Sequence, residues 1–132
     1  MDIKITIPLT PVSKKNSQQI VQVKGRPLII PSKVYKDYEK AAMRQMLIDD
    51  DCPADAICYP VNVQMVFYMP THRRVDLVNL QEAALDVLVK AGILEDDNCT
   101  IVAGMDGSVV RYDKKNPRTE IIITRREDES RI

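Results

Sequence analysis

Hydrophobic and polar positions alternate from the first residues: Ile3, Ile5, Ile7 and Leu9 are separated by Lys4, Thr6 and Pro8, a two-residue period that predicts a strand ended by proline. The polar run TPVSKKNSQQ reads as a loop. In IVQVKGRPLII, Ile20 to Val23 and Leu28 to Ile30 form the expected arms of a hairpin that turns at Lys24, Gly25 and Arg26. Behind Pro31-Ser32, a break followed by a candidate N-cap, the period lengthens. Tyr35, Tyr38, Ala42 and Met46 recur at helical spacing, so a helix is expected from about Ser32 to Ile48.

The segment DDDCPAD is a loop, and YPVNVQMVFYMP, rich in β-branched and aromatic residues between prolines, predicts a strand. A second helix is expected from Asp76 to Ala91, with Gly92 at the position of a left-handed C-cap. After the turn ILEDDN, the runs TIVAGMDGSVVRY and PRTEIIITRR read as two closing strands. The order β, β-hairpin, α, β, α, β, β predicts an α+β fold, a mixed β-sheet with two main helices on one or both of its faces.

A chain of 132 residues, 45% hydrophobic, has enough apolar content for one core, so residues 1–132 are expected to form a single domain. Nineteen basic residues balance nineteen acidic ones, and only their distribution is informative. Between Pro11 and Arg44 eight Lys or Arg face Asp37 and Glu39 alone; Asp49 to Asp55 holds four aspartates and no base. Cys52, Cys58 and Cys99 are odd in number and lack CxxC spacing, which argues against a disulfide framework or a thiolate zinc site and fits a reducing cytosol. The N-terminus lacks the apolar core of a signal peptide, and no segment approaches the ~18 apolar residues of a membrane span. A soluble cytoplasmic protein is expected, with no membrane partner. The glycines form neither GxxxxGK nor GxGxxG, so no nucleotide cofactor is expected.

On a helical wheel, Leu77, Leu80, Ala84, Val87, Leu88 and Ala91 make a core stripe, and Asn79, Glu82, Asp86 and Lys90 gather on another side. Val78, Leu85 and Val89 form a third, smaller apolar strip, so the helix is expected to pack on the sheet, with this strip meeting either a partner subunit or the protein's own sheet. Asp76 opens this helix and is well suited to cap it, while Glu95, Asp96 and Asp97 suit a solvated turn. Their combination with Arg73-Arg74 suggests more. Carboxylates from separate elements beside arginines supply oxygen ligands for a hard cation and guanidinium donors for a phosphodiester. The helix spans about 22 Å from Asp76 to Ala91 at about 1.5 Å per residue. Asp76 and Asp97 therefore meet only if the chain after the helix leads back, or if the turn reaches another chain.

The stretch RRVDLVNLQEAALDVLVKAGILEDDNCTIV resembles the signature of the RusA family of Holliday junction resolvases, in which an Arg-rich strand end leads to Asp-Leu-Asp-Asn-Leu, a lysine, an Ala-rich helix, Gly and an Asp-Asp pair. ITIPLTPVSKKNSQ and VYKDYEKAA resemble the family's opening strand and loop and its first helix. Carried over by position, Asp76 takes the place of the first catalytic aspartate, Asp97 that of the last with Asp96 as neighbour, and Asn79 matches the asparagine. Two positions depart: Val78 stands where an aspartate is expected and Glu82 where a lysine is expected. One helical turn separates them, so the expectation is that Glu82 supplies the displaced carboxylate. Asp76, Asn79, Glu82 and Asp97 are then the catalytic set, and Asp76, Glu82, Asp96 and Asp97 the metal ligands. The lysine's place is expected to be taken by Lys90, by Arg74 or by no residue at all.

The resemblance implies a Mg²⁺-dependent endodeoxyribonuclease of DNA recombination and repair, phage- or prophage-encoded and acting in a bacterial cytoplasm. It implies a homodimer that resolves four-way junction DNA by symmetric nicks. Lys14, Lys15, Lys24, Arg26, Arg73 and Arg74 are the expected DNA-binding residues. His72, the sole histidine, is expected to be structural or solvent-facing rather than a general base. Two alternatives stay open, a catalytically impaired junction-DNA-binding protein and a protein-interaction module in which Asp76 is only a cap.

Overall fold

The computed structural model of the chain describes residues 2–14, 18–49 and 52–126. Strand β1 spans Asp2–Ile7, β2 Gln18–Val23, β3 Arg26–Pro31, β4 Val61–Met69, β5 Val102–Gly104, β6 Val109–Tyr112 and β7 Arg118–Arg125; helix α1 spans Lys33–Leu47 and α2 Leu77–Lys90. The fold is α+β, as the alternation of periods predicts. β1, β7 and β4 lie side by side antiparallel, and β5 and β6 both pair parallel with β4, which gives a mixed five-stranded sheet; β2 and β3 form a separate hairpin.

Alternation decides which face of the sheet is covered. Val61, Val63, Met65, Phe67 and Met69 of β4 are buried, as are Ile5 and Ile7 of β1 and Ile121 and Ile123 of β7. Register places Ile5 opposite Ile121 and Ile121 opposite Met65, so the core residues form rows across one face. Both helices join the same cluster, α1 through Tyr35, Tyr38, Ala42 and Met46 and α2 through Leu80, Ala83, Ala84, Val87 and Leu88. The α1 set is the one its spacing predicts. On α2, Leu77 and Ala91 are only partly buried and Ala83 takes a core place, while Val78 is 60% exposed and Leu85 and Val89 are half-buried.

Local chemistry fixes the boundaries. β1 stops at Ile7 rather than Leu9 because Pro8 has no N–H for a ladder, and the Leu9 N–H turns back to the Ile7 carbonyl at 2.9 Å. Lys24 and Gly25 have φ of 53° and 78°, a two-residue turn whose twist matches its flanking strands. The arms consequently run up to it, and Arg26 and Pro27 belong to a strand. Ser32 caps α1, its Oγ accepting from the Tyr35 N–H at 3.2 Å. At the far end of α2 the Gly92 N–H donates to the Val89 carbonyl and the Ile93 N–H to that of Leu88, both at 3.0 Å. With Gly92 at φ 78° and Ile93 and Leu88 both buried, this is the six-to-one and five-to-two pattern of a Schellman stop.

The run TIVAGMDGSVVRY is two short strands, not one. Asp106 and Gly107 make a turn inside it, with Gly107 at φ 86°. Asn62 of β4 holds that turn from both sides, Nδ2 donating to the Asp106 carbonyl at 3.2 Å and Oδ1 accepting from the Asp106 N–H at 2.9 Å.

Candidate active site

The parallel pairing of β4 with β5 fixes where the acidic residues lie. Val61, at the start of β4, is opposite Val102. Asp97 precedes Val102 by five residues, whereas Asp76 follows Met69 at the far end of β4. Nine residues of strand separate these ends, about 30 Å at about 3.3 Å per residue. Helix α2 crosses the sheet between them. Asp76 stands at its start and the 95–98 turn folds back from its end.

Asp76 occupies the N-cap position but makes no side-chain capping bond. Its Oδ2 accepts from Asn79 Nδ2 at 3.3 Å instead. The expected cap is therefore positional only, and the exposed carboxylate is oriented by a side chain one turn along. Arg73 and Arg74, both exposed, sit in the linker just before it. A cleft of about 370 Å³, lined among others by Pro11, Ser13, Met69, Arg73, Val75 and Leu80, opens beside this helix start.

At the other end, Asp96 Oδ1 accepts from the Asp97 N–H at 2.7 Å and Asp96 Oδ2 from Asn98 Nδ2 at 3.2 Å. The Asp97 carboxyl is held above the ordinary carboxylate range, first by the hydrogen bond it shares with the Asp96 side chain, then by partial desolvation and by the negative charges of Asp96 and Asp86. The turn after α2 thus lies within electrostatic reach of Asp86, and ten residues of helix, about 15 Å of rise, separate Asp86 from Asp76. Glu82, exposed, lies one turn before Asp86 on the same polar stripe.

Among the described residues no three His, Cys, Asp or Glu gather closely enough to hold a metal ion. The chemistry of the donors present still suits a hard cation. Mg²⁺ keeps several waters and takes one or two protein carboxylates with substrate phosphates rather than an all-protein cage. The Asp97 carboxyl, whose proton affinity the Asp96 side chain raises, gains from a cation placed beside it.

The bases fall into two groups. Lys14 Nζ pairs with Asp86 Oδ2 at 3.1 Å and lies 5.9 Å from the Tyr35 ring centroid, so it partners the acidic stripe. Lys90 binds both oxygens of Glu39 at 3.1 and 3.0 Å, tying α2 to α1. That pairing engages Lys90 elsewhere, so of the expected alternatives Arg74 or no replacement at all remains. Lys24 and Arg26 are exposed at the hairpin tip, and Lys15 lies outside the described residues. Sequence reasoning did not single out Asp86 as a site residue. Its signal was its place on the stripe with Asn79 and Glu82, three and seven residues apart from Asn79's position onward. The stacking of His72 on Tyr112, with ring centroids 3.9 Å apart, had no signal, because forty residues separate them in the chain.

Arginines just before one helix of a small α+β fold, with carboxylates at its start, along it and in the turn after it, supply the donor types of phosphodiester chemistry. Residues 8–124 match the family model described as endodeoxyribonuclease RusA, and the chain belongs to that family. It is similar to the crossover junction endodeoxyribonuclease RusA of Shigella sonnei, 32% identical over 122 residues that cover 91% of this chain and 92% of the relative. The protein of that name from Escherichia coli K12 is 31% identical over 122 residues, with the same two coverages. That from Aquifex aeolicus is 28% identical over 97 residues, 74% of this chain and 73% of the relative. No helix among the described residues is long and apolar enough to cross a membrane.

Proposed function

We propose that residues 1–132 form one endonuclease domain that resolves four-way DNA junctions in recombination and repair, as a homodimer in a bacterial cytoplasm with Mg²⁺ as cofactor. Membership of the RusA family supports the reaction class. The dimer is supported by the order of the elements, with Asp76 at the start of α2 and Asp97 in the turn that follows its end. A two-fold axis across α2 sets the helices of two protomers antiparallel. Asp76 of one protomer then faces Asp97 of the partner subunit, and the junction's two equivalent strands each receive one site. Val78, Leu85 and Val89, beside the polar stripe, supply an apolar seam for that contact.

Asp76, Glu82, Asp96 and Asp97 hold the cation in this reading. Mg²⁺, when bound, lowers the pKa of the attacking water and stabilises charge on the leaving oxygen. Asn79 keeps the Asp76 carboxylate aimed, and Arg73 and Arg74 hold the scissile strand by paired N–H donors to phosphate oxygens. Lys24 and Arg26 on the hairpin, with Lys14 and Lys15, contact phosphates of the arms and set affinity without reading sequence.

The exposure of Val78 at a position where the family has an aspartate favours a second reading, a junction-binding protein that does not cut. Incubating the purified protein with a synthetic four-way junction and a matched duplex, in Mg²⁺ and in EDTA, separates the two. Paired nicks confined to the junction with Mg²⁺, lost in Asp97→Asn, support the nuclease; binding without cutting under both conditions supports the second reading. Binding that barely weakens with added salt would instead point to a protein partner.

A further inference from the structure

His72 and Tyr112 form a stacked pair on the surface: the ring centroids are 3.9 Å apart, the planes are inclined by 28°, Tyr112 is 45% exposed and His72 is exposed. Strand pairing positions the tyrosine. Tyr112 is registered opposite Met69 at the end of β4, and the next residue, Asp113, donates its N–H to the Met69 carbonyl at 2.9 Å. His72 follows Met69 by three residues, so both rings are fixed to the strand end from which the chain enters α2. Val110, 37% exposed, lies two residues before Tyr112 on the same side of β6 and extends the apolar surface. Arg73 and Arg74 succeed His72 directly, and Asp76 comes two residues after them.

We propose that the His72–Tyr112 pair is a stacking platform for a base unstacked at the strand-exchange point of branched DNA. The inference rests on the junction-nuclease reading and deepens it by naming what is recognised at the branch. A buried aromatic pair needs no explanation beyond packing, but both members of this pair are exposed and His72 is followed directly by two arginines. A nucleotide matches that arrangement in both parts: its base offers a π face to the rings and its phosphates take the guanidinium donors. A fully stacked duplex offers no free base face, whereas strands that exchange at a branch do. The platform therefore distinguishes branched from linear DNA, a task that phosphate contacts alone cannot perform. It also sets register, because a base held on Tyr112 brings its neighbouring phosphates toward Arg73, Arg74 and Asp76.

The test is equilibrium binding in EDTA of wild-type protein, Tyr112→Ala, Tyr112→Phe and His72→Ala, to a four-way junction and to a linear duplex of the same sequence. Each aromatic–base stack contributes about 1–3 kcal/mol, so Tyr112→Ala is expected to weaken junction binding about fivefold or more. Duplex affinity stays at the wild-type value, and Tyr112→Phe, which keeps the ring, stays within about twofold on both substrates. His72→Ala gives a smaller loss on the junction alone. Unchanged junction affinity in Tyr112→Ala overturns the proposal, as does an equal loss on junction and duplex, or a wild-type protein that does not prefer the junction. Because the metal is chelated throughout, absence of cleavage in Mg²⁺ would sink the nuclease reading without touching this result.

Discussion

Asn79 donates from Nδ2 to Asp76 Oδ2 across 3.3 Å, in place of the backbone bond that a capping aspartate makes. Loss of an N-cap bond ordinarily costs about 1 kcal/mol, and here there is none to lose. Asp76→Asn is expected to abolish cleavage while unfolding free energy changes by less than about 0.5 kcal/mol, as for an exposed position. Asn79→Ala, which leaves the carboxylate in place but unaimed, is expected to slow cleavage about tenfold at unchanged stability, because positioning losses act on the rate. Urea unfolding and single-turnover cleavage on each variant check both. A stability loss of a full capping bond in Asp76→Asn would restore the purely structural role.

The distance between Asp76 and Asp97 along α2 yields a mixing experiment. Asp76→Asn and Asp97→Asn homodimers are each expected to be inactive. A heterodimer of the two, with sites shared between protomers, holds one intact site and one doubly defective site. Random exchange then returns about a quarter of the wild-type sites, and each heterodimer nicks one strand without completing resolution. If both carboxylates serve the site within one protomer, no activity returns. Quantifying nicked against fully resolved junction on a denaturing gel decides it.

How much of this was legible in the sequence follows from what each feature depends on. The α1 core set, the Ser32 cap and the Gly92 stop depend on residues within four or five positions, and periodicity and capping chemistry give all three. The split of TIVAGMDGSVVRY depends on Asn62 gripping a turn more than forty residues away, which no local pattern carries, although Asp106-Gly107 was the available cue. The same limit applies at the site. The stretch from Arg73 to Asp97 resembles the family's order of residues apart from Val78 and Glu82, but the reach of the Asp86 charge to Asp97, the pairing of Lys14 with Asp86 and the stacking of His72 on Tyr112 are all products of tertiary structure.

Asp97 predicts a pH dependence with a definite sign. Its carboxyl binds its proton more tightly than an ordinary aspartate, chiefly through the hydrogen bond with Asp96. A cation must displace that proton, so the Mg²⁺ concentration for half-maximal cleavage is expected to rise as pH falls through the upper carboxylate range. Asp96→Asn removes the like charge and is expected to shift this acid limb to lower pH. Cleavage titrated with Mg²⁺ at a series of pH values measures the shift; an acid limb that moves upward in Asp96→Asn would contradict the assignment.

Arg118 and Asp113 give a pH dependence of stability that arises from a shift in the opposite direction. Arg118 Nη1 donates to Asp113 Oδ2 at 2.9 Å and its Nε to Glu120 Oε2 at 3.0 Å, while the guanidinium lies 3.7 Å from the Tyr68 ring centroid. The hydrogen bond from Arg118 holds the Asp113 carboxyl below the ordinary carboxylate range. A carboxylate depressed on folding stabilises the native state above its unfolded pKa and loses that contribution as pH falls through its folded pKa. Asp113→Asn is therefore expected to lower the melting temperature modestly at neutral pH and to converge on wild type in strong acid. A difference that persists at the acid end would mean that packing, rather than charge, fixes this loop.

Val78 and Glu82 decide whether the departure from the family pattern is compensated. Val78 is 60% exposed, so Val78→Asp places a charge in water and is expected to cost little stability. If Glu82 supplies the missing carboxylate from one turn further along, Glu82→Gln abolishes Mg²⁺-dependent cleavage, and Val78→Asp in the same chain restores it at least in part. The double variant is the informative member, since a Glu82→Gln loss caused by disturbed folding would not be repaired by a new acid at position 78. A fully active Glu82→Gln variant ends the relocation idea outright. In that case an increase in cleavage from Val78→Asp alone would show that the wild-type chain works with one carboxylate fewer than its relatives' sequence pattern supplies.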